Sequence, residues 1–133
     1  MAFNRLRRNR EKTVILDSSA IMMLFEFSID LEDELTRLLG RFHILVPSPI
    51  IEELKFLSEQ GIGKKRLNAK AALKLIKRYE IADEKGTGDD SVLLLAQKLN
   101  GVVVTNDRDL RKKVKKSSLQ TIYLRGKNRL VLE

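Results

Sequence analysis

The sequence predicts an α/β fold: a three-layer α/β/α sandwich around a central, mostly parallel sheet, carried by a single domain over residues 1–133. Three observations predict it. Short runs of Val, Ile and Leu occur without polar alternation, as strands buried on both faces require. Segments with helical spacing of apolar residues separate those runs, and such alternation builds parallel sheets flanked by helices. At 133 residues, with 43% hydrophobic and 33% charged side chains, the chain has material for one core under a charged surface. It carries no internal repeat and no Pro/Gly/Ser linker.

Thr13-Val-Ile-Leu-Asp17 reads as the first buried strand. Ser18 and Ser19 offer N-caps to a helix through Ala20-Ile-Met-Met-Leu-Phe, with Met22, Met23 and Phe25 on its core or dimer face. Asp30 caps a second helix, Leu31 to Leu39, which stops at Gly40. His43-Ile-Leu-Val46 is the second strand, and His43 within it is expected to be packed. Ser48 is expected to cap a helix with Pro49 in its favoured first position, running to Gln60 and ending at Gly61. A loop at 61–65 leads to a helix over 66–79, with a narrow apolar face and lysines and arginines elsewhere. Tyr79-Glu-Ile81 is a short third strand, and Gly86-Thr-Gly88 a turn before a helix from Asp90 to Leu99. Val102-Val-Val-Thr105 is the clearest buried strand. A basic helix from Asp107 to Lys116, a strand at Thr121–Leu124 and a last strand at Arg129–Leu132 complete the chain.

Composition excludes several classes of function. Cysteine is absent and His43 is the one histidine, so disulfides, thiolate metal sites, cysteine nucleophiles and histidine pairs are ruled out. No apolar run approaches the ~20 residues of a membrane span. The start, MAFNRLRRNREK, is basic with no apolar signal core behind it, so a cytoplasmic protein is expected. The net charge of +8 is unevenly spread. Residues 64–78 hold seven basic and no acidic groups, whereas residues 13–63 hold nine acidic and three basic ones. Basic surfaces attract phosphate backbones. Acidic blocks beside them oppose nucleic-acid binding unless cations neutralise them.

In such a sheet, ligands bind outside the carboxyl ends of the strands. Asp17 ends the first strand, Asp107 follows the Val102–Thr105 strand, Asp90 opens a helix, and Glu53 lies on the first turns of the helix after the second strand. Four carboxylates converging at one rim repel one another and raise each other's pKa. A hard divalent cation, Mg²⁺ or Mn²⁺, resolves this with oxygen ligands. Two such ions ~4 Å apart activate a water and stabilise a leaving oxygen in phosphodiester hydrolysis. Each acid also has a bland role open to it: Asp17, Asp89, Asp90 and Asp107 as helix caps, Glu52 and Glu53 as solvated surface.

The stretches VILDSSAIM, VPSPIIEELKFL, TGDDSVLLLA and VVVTNDRDLRKK stand in an order and spacing that resembles the PIN-domain metal-dependent ribonucleases over essentially the whole chain. The close, YLRGKNRLVLE, with the NDRDL form, is most similar to the archaeal branch related to the small-subunit rRNA-processing nuclease. The resemblance implies a metal-dependent endoribonuclease that leaves 5′-phosphate and 3′-hydroxyl ends, acting in rRNA or other RNA processing. It selects Asp17, Glu53, Asp90 and Asp107 as catalytic, metal-binding acids. Ser18, Asp89, Thr105 and Asp109 are implied as auxiliaries. Lys64, Lys65, Arg66, Lys70, Lys74, Lys112 and Lys113 would then track the RNA backbone, joined by Lys115, Lys116 and the N-terminal arginines.

VapC-type toxins share the four acids, so a toxin with an antitoxin partner stands beside a processing enzyme with a ribosome-biogenesis partner. A homodimer is common to the family. Both serines after Asp17 keep a hydroxyl where relatives usually have threonine or asparagine, and the zinc-binding extension of some rRNA-processing relatives is absent. Two other classes remain open: a catalytically inactive RNA-binding module of an assembly, and a phosphoacceptor domain with Asp17 as nucleophile.

Overall fold

The computed structural model describes residues 11–133, so the expected phosphate contacts of Arg5, Arg7, Arg8 and Arg10 lie outside the described residues. Strand β1 (Lys12–Leu16) leads into helix α1 (Ser18–Glu26), followed by α2 (Leu31–Leu39), β2 (Phe42–Pro47), α3 (Ser48–Gln60) and α4 (Lys64–Ile76). Then come β3 (Glu80–Ala82), α5 (Gly88–Leu99), β4 (Val102–Val104), α6 (Arg108–Lys116), β5 (Thr121–Arg125) and β6 (Arg129–Leu132).

The six strands form one sheet in the order β3-β2-β1-β4-β5-β6, parallel except for the β5–β6 hairpin. The apolar runs occupy its centre. Val14, Ile15 and Leu16 of β1 and Val103 and Val104 of β4 are fully buried. Burial of each such side chain contributes about 1.5–3 kcal/mol. Helices cover both faces: α5 packs on β1, β2 and β4, while α2 reaches from β2 across to β6. Glu34 and Arg37 of α2 pin that far edge, with Leu130 N donating to Glu34 and Arg37 to the Leu130 carbonyl at 2.8 and 2.7 Å. The Arg37 guanidinium, together with the Leu130 N–H, holds the Glu34 carboxyl below the ordinary range. Among the described residues no helix is long and apolar enough to cross a membrane.

The order of strands places the site. From β1 the chain moves outward to β2 and β3, then returns across the sheet to β4 on the other side of β1. The crevice between the carboxyl ends of β1 and β4 is therefore the switch point, where open parallel sheets bind ligands.

Several boundaries differ from those the sequence predicts. Asp30 caps α2 as expected, accepting from Asp33 N at 3.1 Å. Ser48 does not cap α3. Pro47 takes the cap position, and the Ser48 hydroxyl instead accepts from Glu84 N at 3.2 Å, tying α3 to the loop before α5. Helix α4 begins at Lys64 rather than Arg66, because Gly63 adopts φ 63° and turns the chain directly into it. Helix α5 begins at Gly88 rather than Asp90, with consequences for the site. His43 is not packed: it is exposed beside the β3 edge, 3.3 Å from Glu80.

Candidate active site

Asp17 sits where β1 passes into α1. It occupies the N-cap position of α1, yet its side chain makes no capping bond. Its Oδ2 accepts two hydroxyls instead, from Ser19 at 2.6 Å and Thr105 at 2.5 Å. The carboxylate is 3% exposed and Thr105 wholly buried, so the pair is fixed beneath the rim. Both hydroxyls fall on one oxygen, which leaves Oδ1 with only a long approach from Ser18 at 3.5 Å. A buried carboxylate needs such donors, because an unpaired charge there would cost several kcal/mol.

Thr105 couples Asp17 to Asp107. Its Oγ1 donates to Asp17 and accepts from Asp107 N at 3.0 Å. Asp107 is a true helix cap: its Oδ1 accepts from Asp109 N at 2.8 Å and Leu110 N at 3.3 Å. Asp109 enters through its backbone N–H, while its own side chain is exposed.

Glu53 comes from α3. Ser18 donates to its Oε2 at 2.7 Å, joining α3 to the start of α1. Its carboxylate lies against Gly88, where an added Cβ would overlap Oε1 and stand 2.8 Å from Cδ. Position 88 is thus glycine because the carboxylate of Glu53 fills the space a side chain would need. Glu52, on the same helix, is exposed and 3.6 Å from Lys55.

The start of α5 at Gly88 sets which acid of the next pair faces inward. Asp89 is half-buried. Burial pushes its carboxyl up, and the negative charges of Asp17, Asp107 and Glu53 add to the shift, while Lys113 opposes it. Asp90 is exposed and accepts from Thr87 Oγ1 at 3.3 Å. The fold therefore brings Asp17, Glu53, Asp89 and Asp107 together and leaves Asp90 outside, reversing the placement expected for the pair.

Two residues that lie inside the sequence motifs without being assigned a site role belong here. Ser19 donates to Asp17 and accepts from Asn106 N at 3.2 Å. Asn106 spans the floor, accepting from Leu124 N at 3.0 Å and donating to Met23 Sδ at 2.8 Å. A hydroxyl two residues after the strand-ending aspartate was the available signal for Ser19. Asn106 stands inside the NDRDL form, but its role on the floor of the site depends on Leu124 and Met23, which the motif does not include.

The donors at the rim are carboxylates and hydroxyls, the oxygen set that hard cations prefer. Among the described residues, no group of three or more acids is placed to hold a metal ion by itself. Mg²⁺-type binding asks for less, one or two carboxylates with waters and a substrate phosphate completing the shell. The repulsion felt at Asp89 and the glycine kept at 88 for a carboxylate fit it as well.

Of the basic residues, Lys64 and Lys65 line the groove that includes Ser18 and Ser19, and Lys113 acts on Asp89. Lys64, Lys65, Arg66, Lys70 and Lys74 of α4 are exposed, as are Lys112 and Lys113 of α6. Arg66 also donates to the Ser58 carbonyl at 3.2 Å, so part of its role is to hold α4 on α3. Arg111 is not free for phosphate: it stacks 3.6 Å from the Tyr123 ring centroid and bonds Glu133 at 3.1 Å.

Comparison with known proteins supplies the wider setting. The family described as "PIN like domain" matches residues 14–127. Ribonuclease VapC9 of Archaeoglobus fulgidus is 28% identical over 133 residues, covering 100% of this chain and 98% of the relative. Ribonuclease VapC4 of Methanocaldococcus jannaschii is 31% identical over 119 residues, covering 86% and 91%. Among solved structures, the PIN domain endonuclease Utp24 superposes with a TM-score of 0.77 at 23% identity, over 93% of this chain and 92% of that one. VapBC-1 from nontypeable Haemophilus influenzae gives 0.57 at 15% identity, over 78% and 93%.

Proposed function

The chain belongs to the PIN-like domain family, and from that premise we propose that it is a Mg²⁺- or Mn²⁺-dependent endoribonuclease acting in RNA processing in the cytoplasm. The observation that carries this reading is the gathering of Asp17, Glu53, Asp89 and Asp107 at the β1/β4 switch point, where burial and the three other charges raise the Asp89 carboxyl. Two curated relatives named as ribonucleases support it.

Asp17, Glu53, Asp89 and Asp107 would hold the cations directly or through waters, and the cations would supply charge stabilisation at the phosphoryl oxygens and an acidified water. Asp89 takes the role that the family resemblance gave to Asp90. Thr105 and Ser19 hold Asp17 Oδ2, which leaves Oδ1 without a short hydrogen bond and available to a cation. Ser18 positions Glu53. Lys113, already close enough to Asp89 to lower its carboxyl, balances part of the negative charge and meets the substrate phosphate. The lysines of α4 follow the RNA backbone.

Incubating a defined single-stranded RNA with Mg²⁺, Mn²⁺ or EDTA tests the proposal. Cleavage with either cation, leaving 5′-phosphate and 3′-hydroxyl ends, and none in EDTA is expected; undiminished cleavage in chelator overturns it.

The VapC names of the relatives agree with a second reading that the sequence resemblance implies, a VapC-type toxin held by an antitoxin, with a homodimer as its working unit. Controlled expression separates the two. Growth arrest relieved by Asp17→Asn marks the toxin, whereas accumulation of unprocessed RNA without arrest on deletion marks processing, with ribosome-biogenesis proteins as partners.

A further inference from the structure

Two grooves flank the Ser18–Glu53 contact, and they differ in charge. One, of about 860 Å³ between α3 and the loop before α5, has Glu52, Glu53 and Glu84 as its charged lining. The other, of about 940 Å³ between α1 and α4, carries Lys64 and Lys65 against a single carboxylate, Glu26, and shares Ser18, Ser19 and Asn106 with the acidic rim. A polyanion is repelled by the three carboxylates of the first and favoured by the net positive lining of the second. The second groove is also more than a track for phosphates. Its walls include Met22, Phe25 and Leu67, and Asn68 presents an amide among them. Leu67 is 64% exposed, an apolar side chain left in water one residue beyond the basic run.

We propose that the α1–α4 groove is a nucleobase subsite, in which one unpaired base next to the cleaved phosphodiester inserts between Phe25, Met22 and Leu67. The inference rests on the ribonuclease reading and adds to that site a pocket for one base beside the cleaved phosphodiester. Three features of the groove match a nucleotide. An apolar wall with one aromatic ring accepts the base face, as unstacked bases in RNA sites are accepted. The Asn68 amide has a donor and an acceptor side by side, complementary to a base edge. Lys64 and Lys65 at the mouth accommodate the adjoining phosphate. The volume suits a ligand of this size, since small-ligand sites occupy ~300–1,000 Å³.

Two measurements test it without sharing a point of failure. In the first, methyl-labelled methionine spectra are followed while adenosine 5′-monophosphate is added to the full chain in EDTA. Shifts at Met22 and Met23 that are lost in Leu67→Ala/Asn68→Ala support the subsite even if no RNA is ever cleaved; unmoved methyls overturn it. In the second, an RNA with one abasic position beside the cleavage site is compared with its intact counterpart. About a 10-fold rise in KM with kcat little changed is expected, the scale of one base–aromatic stack removed. Leu67→Ala/Asn68→Ala should raise KM for intact RNA and leave the abasic substrate unaffected, and Phe56→Ala in the acidic groove should change neither. Equal KM for intact and abasic RNA overturns the subsite while leaving the nuclease reading in place.

Discussion

Gly88→Ala is the substitution whose effect follows most directly from the geometry. Backbone conformation does not require glycine there, since Gly88 is not among the glycines with positive φ. What excludes a methyl is the carboxylate of Glu53. A Cβ would overlap Oε1, and Cδ at 2.8 Å would have to retreat about 0.6 Å to reach ordinary contact at 3.4 Å. Oε1 lies nearer to that Cβ than Cδ does and has to retreat by well over 1 Å, and a misplacement of ~1 Å already costs about 100-fold. The predicted loss in kcat/KM is therefore about 100-fold, or roughly 2.7 kcal/mol of transition-state stabilisation. Stability should change less. The Ser18 bond to Glu53 is weakened, at a cost of ~1–3 kcal/mol for a charged acceptor, and alanine in a helical turn returns ~0.5–1 kcal/mol over glycine. The assay is cleavage of a fluorogenic RNA beside a thermal melt. Glu53→Gln combined with Gly88→Ala should be no worse than the poorer single variant, because both act through one carboxylate. Wild-type kcat/KM for Gly88→Ala, or additive losses in the double variant, would refute the reasoning.

Asp89→Asn should lower turnover by orders of magnitude while stabilising the metal-free protein at neutral pH. The raised Asp89 carboxyl means that the folded state holds that proton more tightly than the unfolded chain. Its contribution is therefore present below the ordinary carboxylate range and is lost as pH rises through the raised value. The gain in melting temperature for Asp89→Asn should accordingly grow over that interval and vanish in acid. Asp90→Asn, exposed beside Thr87, should keep most activity, as should Glu52→Gln. Loss of activity in Asp90→Asn with Asp89→Asn intact would reverse the assignment. Replacing Lys64, Lys65, Lys70 and Lys74 together should weaken RNA binding. The slope of log affinity against log salt should become shallower by about 0.7 for each phosphate no longer neutralised. An unchanged slope would assign that face of α4 to another partner.

The central strands were legible because burial on both faces leaves an unbroken apolar run, as at Val14–Leu16 and Val102–Val104. The last strand was legible in position, since β6 spans the expected Arg129–Leu132, though its antiparallel pairing with β5 was not. The position of Asp17, Glu53 and Asp107 at the rim was legible because each follows or adjoins the carboxyl end of a strand, where open parallel sheets place their ligands. The choice between Asp89 and Asp90 was not. It turns on where α5 begins, and neighbouring residues on a helix point about 100° apart, so a two-residue error redirects the inward face. Gly86-Thr-Gly88 looked like a turn, yet Gly88 is helical and its missing side chain is replaced by the carboxylate of Glu53, far earlier in the chain. The same blindness to long-range partners hid Ser48, whose hydroxyl serves the loop at Glu84 rather than its own helix. His43 went astray because an edge position beside the short β3 cannot be read from the apolar residues that follow it.

Cleavage of single-stranded RNA by Asp17→Asn, measured in Mn²⁺ beside the wild type, tests the central claim most directly. The amide keeps an oxygen for Thr105 and Ser19, so the fold should survive with a circular dichroism spectrum like the wild type's. The account predicts that kcat/KM falls by about 1,000-fold or more, the order expected when several kcal/mol of charge stabilisation is removed. A folded Asp17→Asn protein that cleaves at the wild-type rate would place the chemistry somewhere other than the β1/β4 rim.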